Sequence, residues 1–188
     1  MKHAKKATPA DMSLPAPTLA ELPLHPYIDG SGRVAPDLKG AIGLYAIFDA
    51  AGRVQYIGYS RDIRLSLLQH LVRCPQGCSG YKAIAIERPD RPWLETMKQQ
   101  WLAELGTVPL GNERDRPQWE NAIDVKEQMT EAERTAWASA DSLTQPKLLK
   151  QVARRVEAAI LEQLRQRSLQ EPLVFNAKLK ESGRLDLK

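Results

Sequence analysis

At 188 residues with 43% hydrophobic side chains, the chain can bury one substantial core and reads as one domain with extensions rather than two equal halves. Its net charge of +4 permits contact with a polyanion without demanding it, and no run approaches the ~18 apolar residues of a membrane-spanning helix. Cys74 and Cys78, the only cysteines, exclude a secreted disulfide framework and a four-ligand zinc site, which makes a reducing, cytoplasmic setting the default expectation.

Residues 1–38 mix prolines, small polar residues and short apolar pieces such as LAELPL, the pattern of an extended N-terminal arm. Composition leaves open whether this arm packs on the domain or is disordered. It begins with a loose basic tail, MKHAKKATPA, which no apolar region follows, so no secretory signal is expected. From Ala41 the pattern sharpens. In AIGLYAIFD, Ile42, Leu44, Ala46 and Phe48 share one face of a strand, and Tyr45 and Ile47 point to the other. Asp49 to Gly52 supplies turn chemistry, and VQYIGY reads as the returning strand of a hairpin.

After Ser60 the period changes to that of a helix, with Ile63, Leu67 and Leu71 on one side and Leu68 and Val72 widening the apolar face. Ser60 or Asp62 can cap its start, and CPQGCSG ends it. KAIAIE is β-favouring and reads as a third strand. Asp90 and Pro92 open a second helix carrying Leu94, Met97, Trp101 and Leu105 on one face, and Gly106 and Pro109 close it. The piece from Gly111 to Glu127 is less regular, with Trp119 tacking it down. A small sheet covered by helices over residues 39–127 is the expected core.

Residues 128–188 read as a helical extension. Thr130 and Glu133 have capping-box spacing, and Gln145–Gln166 carries a stripe of Leu149, Val152, Val156, Ala159 and Ile160. This long helix can pack on the preceding domain, pair with a second copy of the chain as a homodimer, or present its basic face to nucleic acid. The final KLKESGRLDLK reads as a mobile tail.

Gly43, Leu44 and Tyr45, followed across the hairpin by Tyr56, Ile57 and Gly58, resemble the paired tripeptides of the GIY-YIG nuclease family, and the resemblance extends over residues 41–112. It implies an α+β fold: a small three-stranded antiparallel sheet flanked by helices. It also implies a metal-dependent DNA endonuclease that hydrolyses phosphodiesters with one divalent cation, Mg2+ or Mn2+. Gly43 and Gly58 would shape the site. Tyr45 and Tyr56 would lie in it, one helping to activate water and the other orienting the phosphate; a phenol near pKa 10 needs a nearby cation to become a phenolate at neutral pH. Glu95 resembles the glutamate that holds the metal, and Glu104 on the same helix is the competing match. An anionic oxygen suits such a cation, although an acidic residue near a helix start is also favourable in its own right. Asn112, in VPLGN, resembles the asparagine that closes the family core, and reads equally as a turn residue. His70 matches a polar position of the first helix, where it would accept a proton or bind phosphate, or serve as a structural histidine.

The departure from the family is at Ser66, where the pattern places an arginine that would stabilise charge on the transferred phosphate. Arg61, Arg64 and Lys98 are the nearest phosphate-binding candidates, although Arg64 stands about 200° around the helix from position 66. These cations read equally as scattered surface charges. QYIGYSRDI, CSGYKAIAIERPD and WLAELGTVPLGN are similar to GIY-YIG domains fused to plant chloroplast monothiol glutaredoxins, which implies a free-standing relative from a photosynthetic bacterium. That resemblance gives Cys78 a redox role and gives Cys74 none. The expectation is a weak or partner-dependent DNA endonuclease; the alternative is a catalytically inactive domain that binds nucleic acid or a protein.

Overall fold

A computed structural model describes Lys6–Ala7 and residues 17–188; the basic tail expected at residues 1–10 otherwise lies outside the described residues. The chain divides into two compact units, residues 1–120 and 121–188. The division falls before the expected boundary at residue 127 because Ile123–Asp124 pairs with Arg184–Leu185, and the Val125 amide donates to the Gly183 carbonyl at 2.9 Å.

In the first unit the strands are β1 (Lys6–Ala7), β2 (His25–Pro26), β3 (Ile42–Phe48), β4 (Val54–Ser60) and β5 (Gly80–Ile86). The three long strands form the expected antiparallel sheet in the order β5-β3-β4, so the mixed α+β class holds. The other two strands lie beyond β5, with β1 parallel to it and β2 antiparallel. Two residues each are too few to leave a periodic trace in sequence.

Helices cover both faces of the sheet. α1 (Ile63–Arg73) is capped by Asp62, whose carboxylate accepts from the Leu65 amide, and buries Ile63, Leu67 and Leu71 completely. α2 (Arg91–Leu105) is capped by Asp90, begins with proline in its first turn and stops at Gly106, whose φ of 66° is left-handed. Leu44, Ala46 and Phe48 meet Ile57, Ile84, Leu94, Met97 and Trp101 in one core cluster, as the alternation of β3 requires. Tyr45 and Ile47, on the opposite face, are also buried. Each fully buried aliphatic contributes roughly 1.5–3 kcal/mol, so a sheet covered on both sides is a firm platform. The arm is packed where it is described: Leu19 joins the core cluster, and the Tyr27 hydroxyl donates to the Leu67 carbonyl at 2.8 Å.

The piece after α2 contains a short helix, α3 (Arg116–Glu120), with Trp119 buried beneath it. The second unit holds β6 (Ile123–Asp124), α4 (Glu131–Ser139), α5 (Gln145–Gln166), α6 (Ala177–Lys180) and β7 (Arg184–Leu185). Thr130 and Glu133 form the reciprocal capping box at the start of α4. The stripe of α5 is buried through Leu149, Val152, Ala153, Val156, Ile160 and Leu164; Ala153 replaces the expected Ala159, which is exposed. The tail expected to be mobile is folded in: Leu185 is fully buried and Leu187 bridges to Phe175. Its alternating leucines are a strand pattern too short to read against the surrounding lysines. No helix among the described residues is long and apolar enough to cross a membrane.

Candidate functional site

The register of the hairpin sets the site. Tyr45 stands opposite Gly58 and Ile47 opposite Tyr56, so both tyrosines leave the same face with ring centroids 6.3 Å apart. A Cβ at position 58 would lie 2.5 Å from Cε1 of Tyr56 and 2.9 Å from the Tyr45 hydroxyl, and one at position 43 would lie 2.0 Å from the Ile84 carbonyl oxygen. Both glycines are therefore demanded by close approach, the first of two aromatic rings and the second of a neighbouring strand.

Behind these residues lies a dry aromatic layer. The hydroxyl of Tyr45 is 2.9 Å from Nε2 of His70, and both side chains are buried. Burial, reinforced by the charge of Arg73, pushes the His70 pKa down to about 3, so the imidazole is neutral near pH 7. Burial raises the Tyr45 phenol well above the ordinary tyrosine value. Trp119 stacks on Tyr56 with centroids 5.5 Å apart and planes within 3°, and its carbonyl accepts from Nη1 of Arg73 at 2.9 Å.

In front lies a polar cleft of about 450 Å³. Tyr56, Glu95, Lys98, Asn112, Arg116 and Glu120 are among its lining residues, with Gly58, Tyr59 and Arg91 beside them. The Tyr56 hydroxyl donates to Oε1 of Glu120 at 3.1 Å, and Nε of Arg116 donates to Oε2 of the same carboxylate at 2.8 Å. Burial first, then Tyr45 and Glu120, hold the Tyr56 phenol far above its ordinary pKa. Glu95 is exposed on α2; a hydrogen bond from Gln99 and then one from Tyr59, with Lys98 and Arg91 nearby, keep its carboxyl below the usual range. Asn112 closes the cleft by a two-point clamp on the outer edge of β4. Its Oδ1 accepts from the Ile57 amide at 2.8 Å and its Nδ2 donates to the Ile57 carbonyl at 2.7 Å. Among the described residues β4 is the edge of the sheet, and its backbone is satisfied here by a side chain.

The cleft therefore gathers Tyr56, Glu95, Lys98, Gly58 and Asn112 of the residues singled out in the sequence. Tyr45 and His70 belong to the layer behind it, away from solvent. Arg61 and Arg64 are not among its lining residues: Arg61 is exposed elsewhere, and Nε of Arg64 donates to the Val34 carbonyl at 3.0 Å because its turn of α1 faces the arm. Ser66 donates through Oγ to Oγ of Ser60 at 2.8 Å. The competing Glu104 accepts from the Leu19 amide at 2.7 Å. Cys78 is fully buried, and burial pushes the thiol of Cys74 up to about 12. Sequence reading passed over Arg116 and Glu120. Their i, i+4 spacing around Trp119 was the available signal.

Among the described residues no cluster of three or more His, Cys, Asp or Glu could hold a metal ion without help. One exposed carboxylate remains compatible with a hard cation that keeps water and phosphate oxygens as its other ligands.

No family model matches the chain. Over 82 residues it is 34% identical to the bifunctional monothiol glutaredoxin-S16, chloroplastic, of Arabidopsis thaliana. The match covers 42% of this chain and 28% of that protein, so the chain spans little more than a quarter of the relative's length.

Proposed function

We propose that the protein is a metal-dependent DNA endonuclease of GIY-YIG type, weak or partner-dependent, with the polar cleft as its active site. The observation that carries this reading is the meeting in one cleft of Tyr56, an exposed ionised Glu95, and the cations Lys98 and Arg116. The similarity to a region of the plant protein, and the paired tripeptides on β3 and β4, support it.

Glu95 would hold Mg2+ or Mn2+, since its donor is a charged oxygen and, among the described residues, no thiol or imidazole lines the cleft. Bound there, the cation would supply Lewis-acid stabilisation of the charge that develops on the phosphodiester. Lys98 and Arg116 draw the phosphate into the cleft and offset its charge. Tyr56 enters the reaction as a neutral phenol, because burial first, then Tyr45 and Glu120, oppose its ionisation. As the oxygen of water bonds to phosphorus and the bond to the leaving sugar oxygen breaks, the proton of the attacking water passes to the Tyr56 oxygen, and the leaving sugar oxygen takes its proton from a solvent water in the open cleft. Tyr56 gives its own proton to Glu120 across the 3.1 Å hydrogen bond. His70 keeps the Tyr45 hydroxyl fixed behind this pair.

The test is cleavage of supercoiled and branched DNA by purified protein with Mg2+ or Mn2+, beside Tyr56→Phe and Glu95→Gln. Turnover by the parent that both variants lose supports the reading; turnover that survives Glu95→Gln sinks it. A second reading is favoured by Ser66, whose hydroxyl is spent on Ser60 where the family pattern has a cation. In that reading the domain binds nucleic acid without cutting it, and the same assay would show salt-sensitive binding and no products.

A further inference from the structure

Among the described residues three cationic side chains line the polar cleft, and they differ in how firmly they are held. Arg91 and Lys98 project from the first two turns of α2, and Lys98 has its Nζ 6.0 Å from the centroid of the Tyr59 ring. Arg116 is built in. Its Nε is bound to Glu120, whose other oxygen receives the Tyr56 hydroxyl, and Tyr56 is stacked on the buried Trp119. The chain of contacts runs from the core of the first unit to the guanidinium. Among the described residues the terminal nitrogens of Arg116 have no hydrogen-bond partner, and 61% of the side chain is exposed. An arginine fixed at Nε with its terminal edge open is preorganised for a phosphate, because orientation is set before the ligand arrives.

We propose that Arg116 is the phosphate-binding arginine of this cleft and that Glu120 positions it, so that this charge enters from α3 instead of from position 66 of α1. The inference rests on the cleft being a phosphodiester site, and it deepens that reading by naming the residue that contacts the transferred phosphate. Glu120 serves two neighbours at once. It orients Arg116 through one oxygen and Tyr56 through the other, which couples phosphate capture to placement of the phenol. The Ser66 side chain bonds to Ser60 and to Tyr45 and carries no charge.

Two measurements on Arg116→Gln and Arg116→Lys decide the matter, with circular dichroism confirming that each variant is folded. The first is binding of a short DNA duplex in EDTA over a range of salt concentrations. Arg116→Gln should lower the salt slope by about 0.9, the share of one phosphate contact, while Arg53→Gln, outside the cleft, should leave it unchanged. The second is single-turnover cleavage with Mn2+. Arg116→Gln should slow it about 100-fold, Arg116→Lys should recover the salt slope without recovering the rate, and Ser66→Arg added to Arg116→Gln should restore part of the rate. An unchanged salt slope in Arg116→Gln overturns the proposal whether or not the parent cuts DNA. A slope that falls while the parent makes no products leaves Arg116 as a phosphate contact and removes the nuclease reading alone.

Discussion

Glu95 and Glu104 stand on one helix, share one chemistry and do different work. Glu104 faces a groove of about 650 Å³ in which the charges are already spent. Its Oε2 accepts from the Leu19 amide at 2.7 Å, and across the groove Nζ of Lys82 donates to the Leu19 carbonyl at 2.9 Å. A carboxylate and an ammonium there stand in for the strand partner that this part of the arm lacks. Among the described residues Glu95 meets Gln99 and Tyr59, both neutral donors, with Lys98, Arg91 and Arg116 near but unbonded to it. The comparison separates structural charge from available charge by what each group already holds, a distinction that residue type and helical position cannot make. It is also the reason the proposed site uses Glu95, of two glutamates that the sequence left in competition.

The largest effect should therefore divide the two. Glu95→Gln should reduce Mg2+- or Mn2+-dependent cleavage by about 100-fold or more, corresponding to about 3 kcal/mol of transition-state stabilisation. Glu104→Gln should cut at the parental rate. Equal losses in both variants, measured as initial rates on supercoiled DNA, would erase the distinction between spent and available charge.

Asn112 belongs with the spent groups although it lines the cleft. Asn112→Ala leaves the amide and carbonyl of Ile57 without their partner on the open edge of β4, and should lower unfolding free energy in urea by about 2–4 kcal/mol. Asn112→Asp keeps the acceptor and should recover about half of that loss. A variant that is fully stable yet inactive would instead make Asn112 a substrate contact.

How much of this was written in the sequence depends on how far apart the interacting residues lie. The hairpin, the cap at Asp90 and the limits of α5 follow from patterns within a few residues, and the structure has them at Val54–Ser60, Arg91–Leu105 and Gln145–Gln166. The burial of His70 was also present in the spacing, since position 70 is three after Leu67 and falls on the apolar face of α1. The i, i+4 spacing of Arg116 and Glu120 could signal their ion pair, but the bond from Tyr56 to Glu120 was invisible because it spans 64 positions and depends on Trp119 lying flat on the Tyr56 ring. No periodicity reports such a contact. The split between an open cleft and a dry layer behind it was equally hidden, because both draw on the same two signature strands.

That dry layer predicts a pH effect. The His70 pKa falls from 6.5 to about 3 on folding, so between those values the unfolded chain binds a proton that the folded protein refuses. Stability is therefore lost as pH drops below about 6.5, and this residue alone should cost about 2 kcal/mol at pH 5 relative to pH 7. Urea unfolding of the parent and His70→Gln at both pH values isolates the contribution, since the other titrating groups are common to both. Parallel pH dependences would mean that His70 is solvated and its hydrogen bond to Tyr45 is open to water.

The smallest predicted effect returns to Glu104. Replacing it with glutamine keeps an acceptor for the Leu19 amide and removes only the charge that strengthens the bond. The side chain is largely exposed, so screening limits the loss to about 1 kcal/mol or less in urea unfolding, and added salt should shrink it further. Lys82→Met should weaken the same attachment from the other side, and the double variant should lose less than the sum, because both side chains hold the backbone of Leu19. Strict additivity would show that they act independently, and the groove would then be two separate contacts instead of one closure of the arm.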